Sequence, residues 1–116
     1  MGDGSYMFGV PLAAHYTSRA ESLPTLTMVF NNSQWFAVRR ATMSMYPEGV
    51  AAKQNSLPIV DLTPSPDFEK VGVSCGGCGE RVEDPAKLIP AMERALRNVA
   101  DGQQATLNVI TGLRQY

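Results

Sequence analysis

Apolar positions along this chain form short blocks whose spacing alternates between helical and extended. Gly2-Asp3-Gly4-Ser5 reads as an opening turn, and helical spacing follows from roughly Tyr6 to Arg19, with Leu12, Tyr16 and Arg19 on successive turns. Pro11 should bend that helix or delay its start. After the breaker Ser22-Leu23-Pro24, Thr25 to Phe30 is a β-branched and apolar run, as expected of a strand buried on both faces. Asn31-Asn32-Ser33 closes it with turn chemistry. Trp35 to about Met43 fits a short helix, and Tyr46 to Pro64 reads as a long irregular stretch of the kind used for lids or insertions. Ser65-Pro66-Asp67 predicts a helix start, with Ser as N-cap and Pro in the first turn, running to Cys75 and stopped by Gly76-Gly77. Glu80 to Val82 predicts a short strand, and Asp84-Pro85 a helix start. The apolar face of that helix would be Leu88, Met92, Ala95, Leu96 and Val99, ended by Asp101-Gly102. Ala105 to Ile110 is the last strand. Helices alternating with short buried strands predict an α/β fold, a mostly parallel sheet flanked by helices.

The 116 residues suit one domain, and acids and bases are scattered around a net charge of −1. No Lys/Arg cluster offers a nucleic-acid footprint. Apolar runs such as Met28-Val29-Phe30 fall far short of the ~20 residues of a membrane span. The N-terminus has no basic and apolar leader pattern. Tyr6 stands where a myristoylation motif needs Ser or Thr. Two cysteines without a secretion signal point to a reducing compartment, so a cytoplasmic location is expected.

The candidate chemistry lies at the N-terminal turn. Gly2, Asp3, Gly4 and Ser5 place flexible backbone, a carboxylate and a hydroxyl just before a helix, where free N–H groups attract phosphate oxygens. Asp3 alone would repel a phosphate. A divalent cation between the two resolves the conflict, because Mg²⁺ is typically held by one or two carboxylate or carbonyl oxygens together with ligand phosphates. Asn31-Asn32, at the carboxyl end of the first strand, would supply more oxygens on the edge of the sheet where α/β folds bind ligands.

Gly2-Asp3-Gly4, twenty-six intervening residues and Asn31-Asn32 resemble the thiamine-diphosphate motif, with Leu23-Pro24 before the strand. The chain as a whole resembles the C-terminal domain of the acetolactate synthase and benzoylformate decarboxylase group of thiamine-diphosphate-dependent enzymes. The segments Pro64 to Lys70 and Gly79 to Pro85 look most like acetolactate-synthase-like members. The resemblance implies that Asp3, the Asn32 side chain and the Gln34 backbone carbonyl hold Mg²⁺. It implies that Gly4 and Ser5 contact the diphosphate of the cofactor, and that Asn31 braces the loop. It implies a 2-oxo acid substrate, a homo-oligomeric parent and a glutamate supplied by a separate pyrimidine-binding domain, usually on another subunit. The chain departs from the family after the loop, where Trp35 is followed by Phe36-Ala37 instead of Gly, and the spacer is slightly long around Thr17 to Ser22. With only Met1 ahead of Gly2, residues 1–116 are expected to be that domain truncated on its N-terminal side, inactive alone.

Other readings weigh less. A dinucleotide fingerprint fails at Met7, and no Gly-Lys-Ser/Thr follows for a phosphate loop. Cys75-Gly76-Gly77-Cys78 has the spacing of a redox pair or half a zinc site. Redox pairs, however, favour helix N-termini, while Cys75 ends a helix, and only His15 offers a further ligand. His15 itself reads as a packed or surface residue rather than a base. Arg39-Arg40 suits a solvated helix face better than a substrate carboxylate, and Met43 to Tyr46 fits either a pocket wall or core filling. The rival classes are a non-catalytic phosphate- or cofactor-binding module and a thiol redox or metal protein using Cys75 and Cys78.

Overall fold

The computed structural model describes residues 1–112. Three strands form a parallel sheet in the order β1-β3-β2: β1 is Leu26–Asn31, β2 is Cys78–Val82 and β3 is Ala105–Ile110. The central strand β3 pairs with β1 from Leu26–Ala105 to Asn31–Ile110, and with β2 from Cys78–Ala105 to Val82–Val109. The expected α/β class and parallel sheet are therefore observed.

Alternation along β3 sorts its side chains onto two faces. Ala105, Leu107 and Val109 join Val82, Ala91 and Ala95 in one core. There they meet α6 (Leu88–Ala100), with Leu26, Met28, Leu88, Met92 and Val99 at its margin. The opposite face is built differently. Tyr6, Val29 and Phe68 cluster there, while β3 presents the fully buried Thr106 and Asn108. Buried polar side chains in a central strand normally need partners; Asn108 has them, whereas Thr106 Oγ1 has none among the described residues.

Several expectations are corrected. Gly2-Asp3-Gly4-Ser5 is not a free turn: Gly2 caps α1 (Asp3–Phe8), so Asp3 already sits in helical backbone. The single helix expected to Arg19 is two, because Pro11 opens α2 (Pro11–Ala20) as an N-terminal proline can. Val10, at φ 50° in the left-handed region, turns the chain between them. The first strand is not buried on both faces, since Phe30 is 44% exposed. That strand lies at the sheet edge, where Met1–Gly2 runs beside it: the Phe30 N–H donates to the Met1 carbonyl at 2.8 Å. α3 spans Phe36–Met45, and the stretch expected to be irregular contains a short α4 (Val50–Gln54). α5 is Phe68–Ser74 with Asp67 in the N-cap position, so Ser65 and Pro66 lie outside it, and Ser65 has another task. Pro85–Lys87 is a 3₁₀ turn, capped by Asp84 accepting from the Ala86 N–H, that leads into α6. On α6, Ala91 is buried and Leu96 is 53% exposed, because the small alanines let the helix approach the sheet closely. Among the described residues no helix is long and apolar enough to cross a membrane.

Candidate functional site

α1 and the loop after β1 meet at the carboxyl edge of the sheet. Asp3, in the first turn of α1, is 3% exposed. Its Oδ1 accepts from the Gly4 N–H at 2.9 Å and its Oδ2 from the Gln34 N–H at 3.3 Å. The same Gln34 N–H donates to Asn32 Oδ1 at 3.1 Å. One backbone donor thus gathers both side-chain oxygens, which lie within a few ångström of each other although far apart in sequence.

The loop owes its shape to its own side chains. The Ser33 N–H donates to Asn31 Oδ1 at 2.9 Å, and the Gln34 N–H to Asn32 Oδ1, so each asparagine closes an Asx turn two residues ahead. These turns hold Ser33 at φ 56°. The loop is clamped from outside as well: the Trp35 N–H donates to the Val60 carbonyl at 2.9 Å, and the Leu62 N–H to the Ser33 carbonyl at 2.8 Å.

Asp3 and Asn32 face a cleft of about 520 Å³ that is also lined by Gly2, Gly4, Ser5 and Gln34. Its apolar wall is Phe8, Phe30, Trp35 and Phe36. The two glycines of the turn serve different purposes. A Cβ on Gly2 would meet nothing within 4 Å, so backbone there lies open to the cleft. A Cβ on Gly4 would stand 2.8 Å from Trp35 Cε3, so Gly4 is the seat of the indole. All the residues expected at the site, Gly2, Asp3, Gly4, Ser5, Asn32 and Gln34, therefore line one cleft. At Gln34, the N–H is the group that joins Asp3 to Asn32.

The carboxylate of Asp3 raises a physical question. It is buried, its partners are backbone N–H groups, and among the described residues no Lys, Arg or His pairs with it. A buried carboxylate normally has an ionic partner or a metal. The oxygen-only set of a carboxylate and an amide suits a hard cation such as Mg²⁺, so the residues present fit the expected group.

Asn31 is 1% exposed, and its amide is fully engaged with Ser33, Ser65 and Asn108. It braces the loop, as expected. A second buried network carries α1. The Tyr6 hydroxyl lies 2.7 Å from His15 Nε2, and His15 Nδ1 lies 2.7 Å from Gln104 Oε1. Gln104 Nε2 donates to the carbonyls of His15 and Cys75 at 3.0 and 3.3 Å. That fixes the Gln104 amide with its oxygen toward the imidazole. His15 Nδ1 must then donate, Nε2 accepts, and Tyr6 donates to it. Burial pushes the Tyr6 phenol up to about 12, with the Cys75 thiol adding to the rise. His15 is thus a packed residue, positioning the helix that holds Asp3.

Cys75 caps α5 and Cys78 opens β2; both thiols are free and half-buried. Cys78 Sγ donates to Gln103 Oε1 at 3.0 Å. Among the described residues no group of three or more His, Cys, Asp or Glu could hold a metal ion. Arg39 donates to Asn55 Oδ1, tying α3 to the end of α4, and Met43 to Tyr46 lie outside the cleft lining. Sequence reasoning missed Ser65, Glu69, Tyr6, Asn108 and Gln104. An asparagine centred in the apolar run Ala105 to Ile110 was the available signal for one of them.

Comparison with known proteins places this geometry. The family model described as thiamine pyrophosphate enzyme, C-terminal TPP binding domain, matches residues 1–109. A probable sulfoacetaldehyde acetyltransferase of Rhizobium meliloti is 32% identical over 110 residues, which is 94% of this chain and 17% of that protein. The acetolactate synthase large subunit IlvG of Mycobacterium tuberculosis is 31% identical over 95% of this chain and 18% of its own length. The fold matches a thiamine diphosphate-dependent 4-hydroxybenzoylformate decarboxylase of Rhodococcus jostii RHA1 with a TM-score of 0.79, at 22% identity, over 100% of this chain and 20% of that one. The chain spans about a fifth of the length of these proteins.

Proposed function

From the premise that this chain belongs to the family of C-terminal TPP-binding domains of thiamine pyrophosphate enzymes, we propose that its cleft holds Mg²⁺ and the diphosphate of thiamine diphosphate on behalf of an enzyme acting on 2-oxo acids. The observation that carries the reading is the shared Gln34 N–H, which brings Asp3 Oδ2 and Asn32 Oδ1 to one point beside a glycine-lined opening. Asp3 supplies the negative charge, Asn32 a neutral oxygen, and the Gln34 carbonyl completes the protein's share of the metal's ligands. Gly4 and Ser5 face the diphosphate, with the N-terminal end of α1 contributing its positive dipole end. Phe30 and Trp35 give the cleft an apolar wall against which an organic ring packs. When bound, the cofactor supplies an electron sink for carbanion chemistry beside a carbonyl.

For the parent reaction we favour carboligation of the acetolactate synthase kind over simple decarboxylation. Relatives at 31% identity carry that name and the one at 32% is named an acetyltransferase, while the decarboxylase shares the fold at 22% identity. The parent would be an oligomer in which a pyrimidine-binding domain supplies the activating glutamate, so this chain alone should show no turnover.

Calorimetric titration of the chain with thiamine diphosphate tests the reading. Heat of binding should require Mg²⁺ and vanish in Asp3→Ala, while Asp3→Asn, which keeps one of the two acceptor oxygens and loses the charge, should be strongly impaired. Binding that is indifferent to Mg²⁺, or unchanged in Asp3→Ala, would sink it.

A further inference from the structure

The loop that gathers Asp3 and Asn32 is held from behind by a chain of side chains crossing the sheet. Asn31 Nδ2 donates to Ser65 Oγ at 2.7 Å and to Asn108 Oδ1 at 3.1 Å. Asn108, fully buried on β3, donates its own Nδ2 to Glu69 Oε2 at 2.7 Å. Glu69 lies in the first turn of α5.

This chain has a direction. An ionised carboxylate only accepts, so Glu69 obliges Asn108 to turn its NH₂ toward α5. The Asn108 oxygen is then left facing Asn31. Asn31 must in turn present its NH₂, and its remaining oxygen faces the Ser33 N–H, the contact that closes the first Asx turn. That turn sets Ser33 at φ 56° and delivers the Gln34 N–H to Asp3 and Asn32. Reversal of either amide would set two donors or two acceptors face to face at a buried contact, which costs about 1–3 kcal/mol by itself.

We propose that Glu69 and Asn108 are positioning residues for the metal loop: the Glu69 carboxylate fixes the orientation of the Asn108 and Asn31 amides, and through them the turn that brings Asp3 and Asn32 together. This rests on the proposed Mg²⁺-dependent cofactor binding. Neither residue touches the cleft. Partners that orient metal ligands from behind typically contribute about 10–100-fold to metal affinity.

Trp35, the one tryptophan, lines the cleft and gives a fluorescence signal for its occupancy. With thiamine diphosphate fixed, Mg²⁺ is titrated into the full chain and the midpoint recorded, alongside far-UV circular dichroism and the thermal midpoint. Asn108→Asp sets two carboxylates against each other and should raise the Mg²⁺ midpoint about tenfold or more. Glu69→Ala, which leaves the buried Asn108 Nδ2 without its acceptor and so lowers the thermal midpoint as well, should raise it in the same direction. The decisive variant is the double change Glu69→Gln with Asn108→Asp. It reverses the donor between the pair yet leaves an acceptor facing Asn31, so the wild-type midpoint should return. A residue with only a structural role would lower the thermal midpoint and leave the Mg²⁺ midpoint alone. That result in Glu69→Ala, or a double variant no better than Asn108→Asp, overturns the proposal while the cofactor reading stands. A wild-type chain whose Trp35 signal ignores Mg²⁺ overturns both.

Discussion

At the residue scale, the buried polar side chains of this protein are ordered by which atom donates each hydrogen bond and which accepts it. Tyr6 is the clearest case. Its hydroxyl has one acceptor, His15 Nε2, inside an edge-on packing of rings with centroids 5.9 Å from His15 and 5.5 Å from Phe68. Ionising it would strand a phenolate next to a lone pair, and burial raises its pKa to about 12 from the ordinary value of 10.0. The neutral form is thus favoured by folding. Its contribution is fully present below the unfolded pKa near 10 and is lost as pH rises toward 12, amounting to on the order of 2 kcal/mol. Chemical denaturation followed from pH 8 to 12 should therefore show stability falling through that window. Tyr6→Phe should be about 1 kcal/mol less stable at pH 8, from the lost hydrogen bond, and should lose most of the slope contributed by Tyr6. An equal slope in both proteins would contradict this assignment.

At the scale of elements, α5 lies against β3 with almost no space between them. A Cβ on Gly72 would stand 2.3 Å from Thr106 Oγ1, and Thr106 Oγ1 is itself a buried polar atom without a partner among the described residues. Two effects then oppose each other in Gly72→Ala. Helix propensity favours alanine by about 1 kcal/mol, whereas overpacking costs about 1–3 kcal/mol. The clash is with a β-branched side chain on the central strand, which cannot swing away, so destabilisation should win. Thr106→Ala removes the clashing oxygen, and a double-mutant cycle by thermal denaturation should give a favourable coupling of about 1 kcal/mol or more. Additive single effects would show that α5 has room to shift. These same contacts explain what the sequence disclosed and what it withheld. β3 was legible to its ends, because a short run of mostly β-branched and apolar residues is a local property, and the helix stop at Gly76 was legible because glycine acts locally, whereas Pro11 was read as bending or delaying one helix where it opens a second. The meeting of Asp3 with Asn32 was legible because both halves of the motif are local too. The bracing of that loop was not. Asn31 meets Asn108 at a separation of 77 residues and Asn108 meets Glu69 at 39, and no periodicity carries such pairings. Ser65 looked like a helix cap by composition, yet Asn31 competes for it and the helix starts at Phe68.

At the scale of the whole molecule, residues 36–59 form an excursion from the sheet body. Neither α3 nor α4 has a buried residue, and Val38, Met45, Tyr46, Val50 and Ile59 are all more than half exposed. Few apolar contacts mean low local stability, so this segment should open well before the body unfolds. Its two ends are pinned at one place, by the Trp35–Val60 and Ser33–Leu62 hydrogen bonds and the bridge between Gln34 and Asp61. Those pins are also the far side of the loop that holds Asp3 and Asn32. A ligand that orders the loop therefore orders the neck of the excursion, and the two processes share one free energy. Limited trypsin digestion reads this directly, because Arg39, Arg40 and Lys53 lie within the excursion. The first cuts should fall at these three residues, ahead of Arg94 and Arg97 on α6, and Mg²⁺ with thiamine diphosphate should slow them. By mass action, a ligand present at about 100 times its dissociation constant would reduce cleavage about 100-fold if binding required the closed neck. First cuts in α6, or cleavage at Arg40 and Lys53 that does not respond to the cofactor while calorimetry shows it bound, would mean that the excursion and the loop of Asn32 move independently.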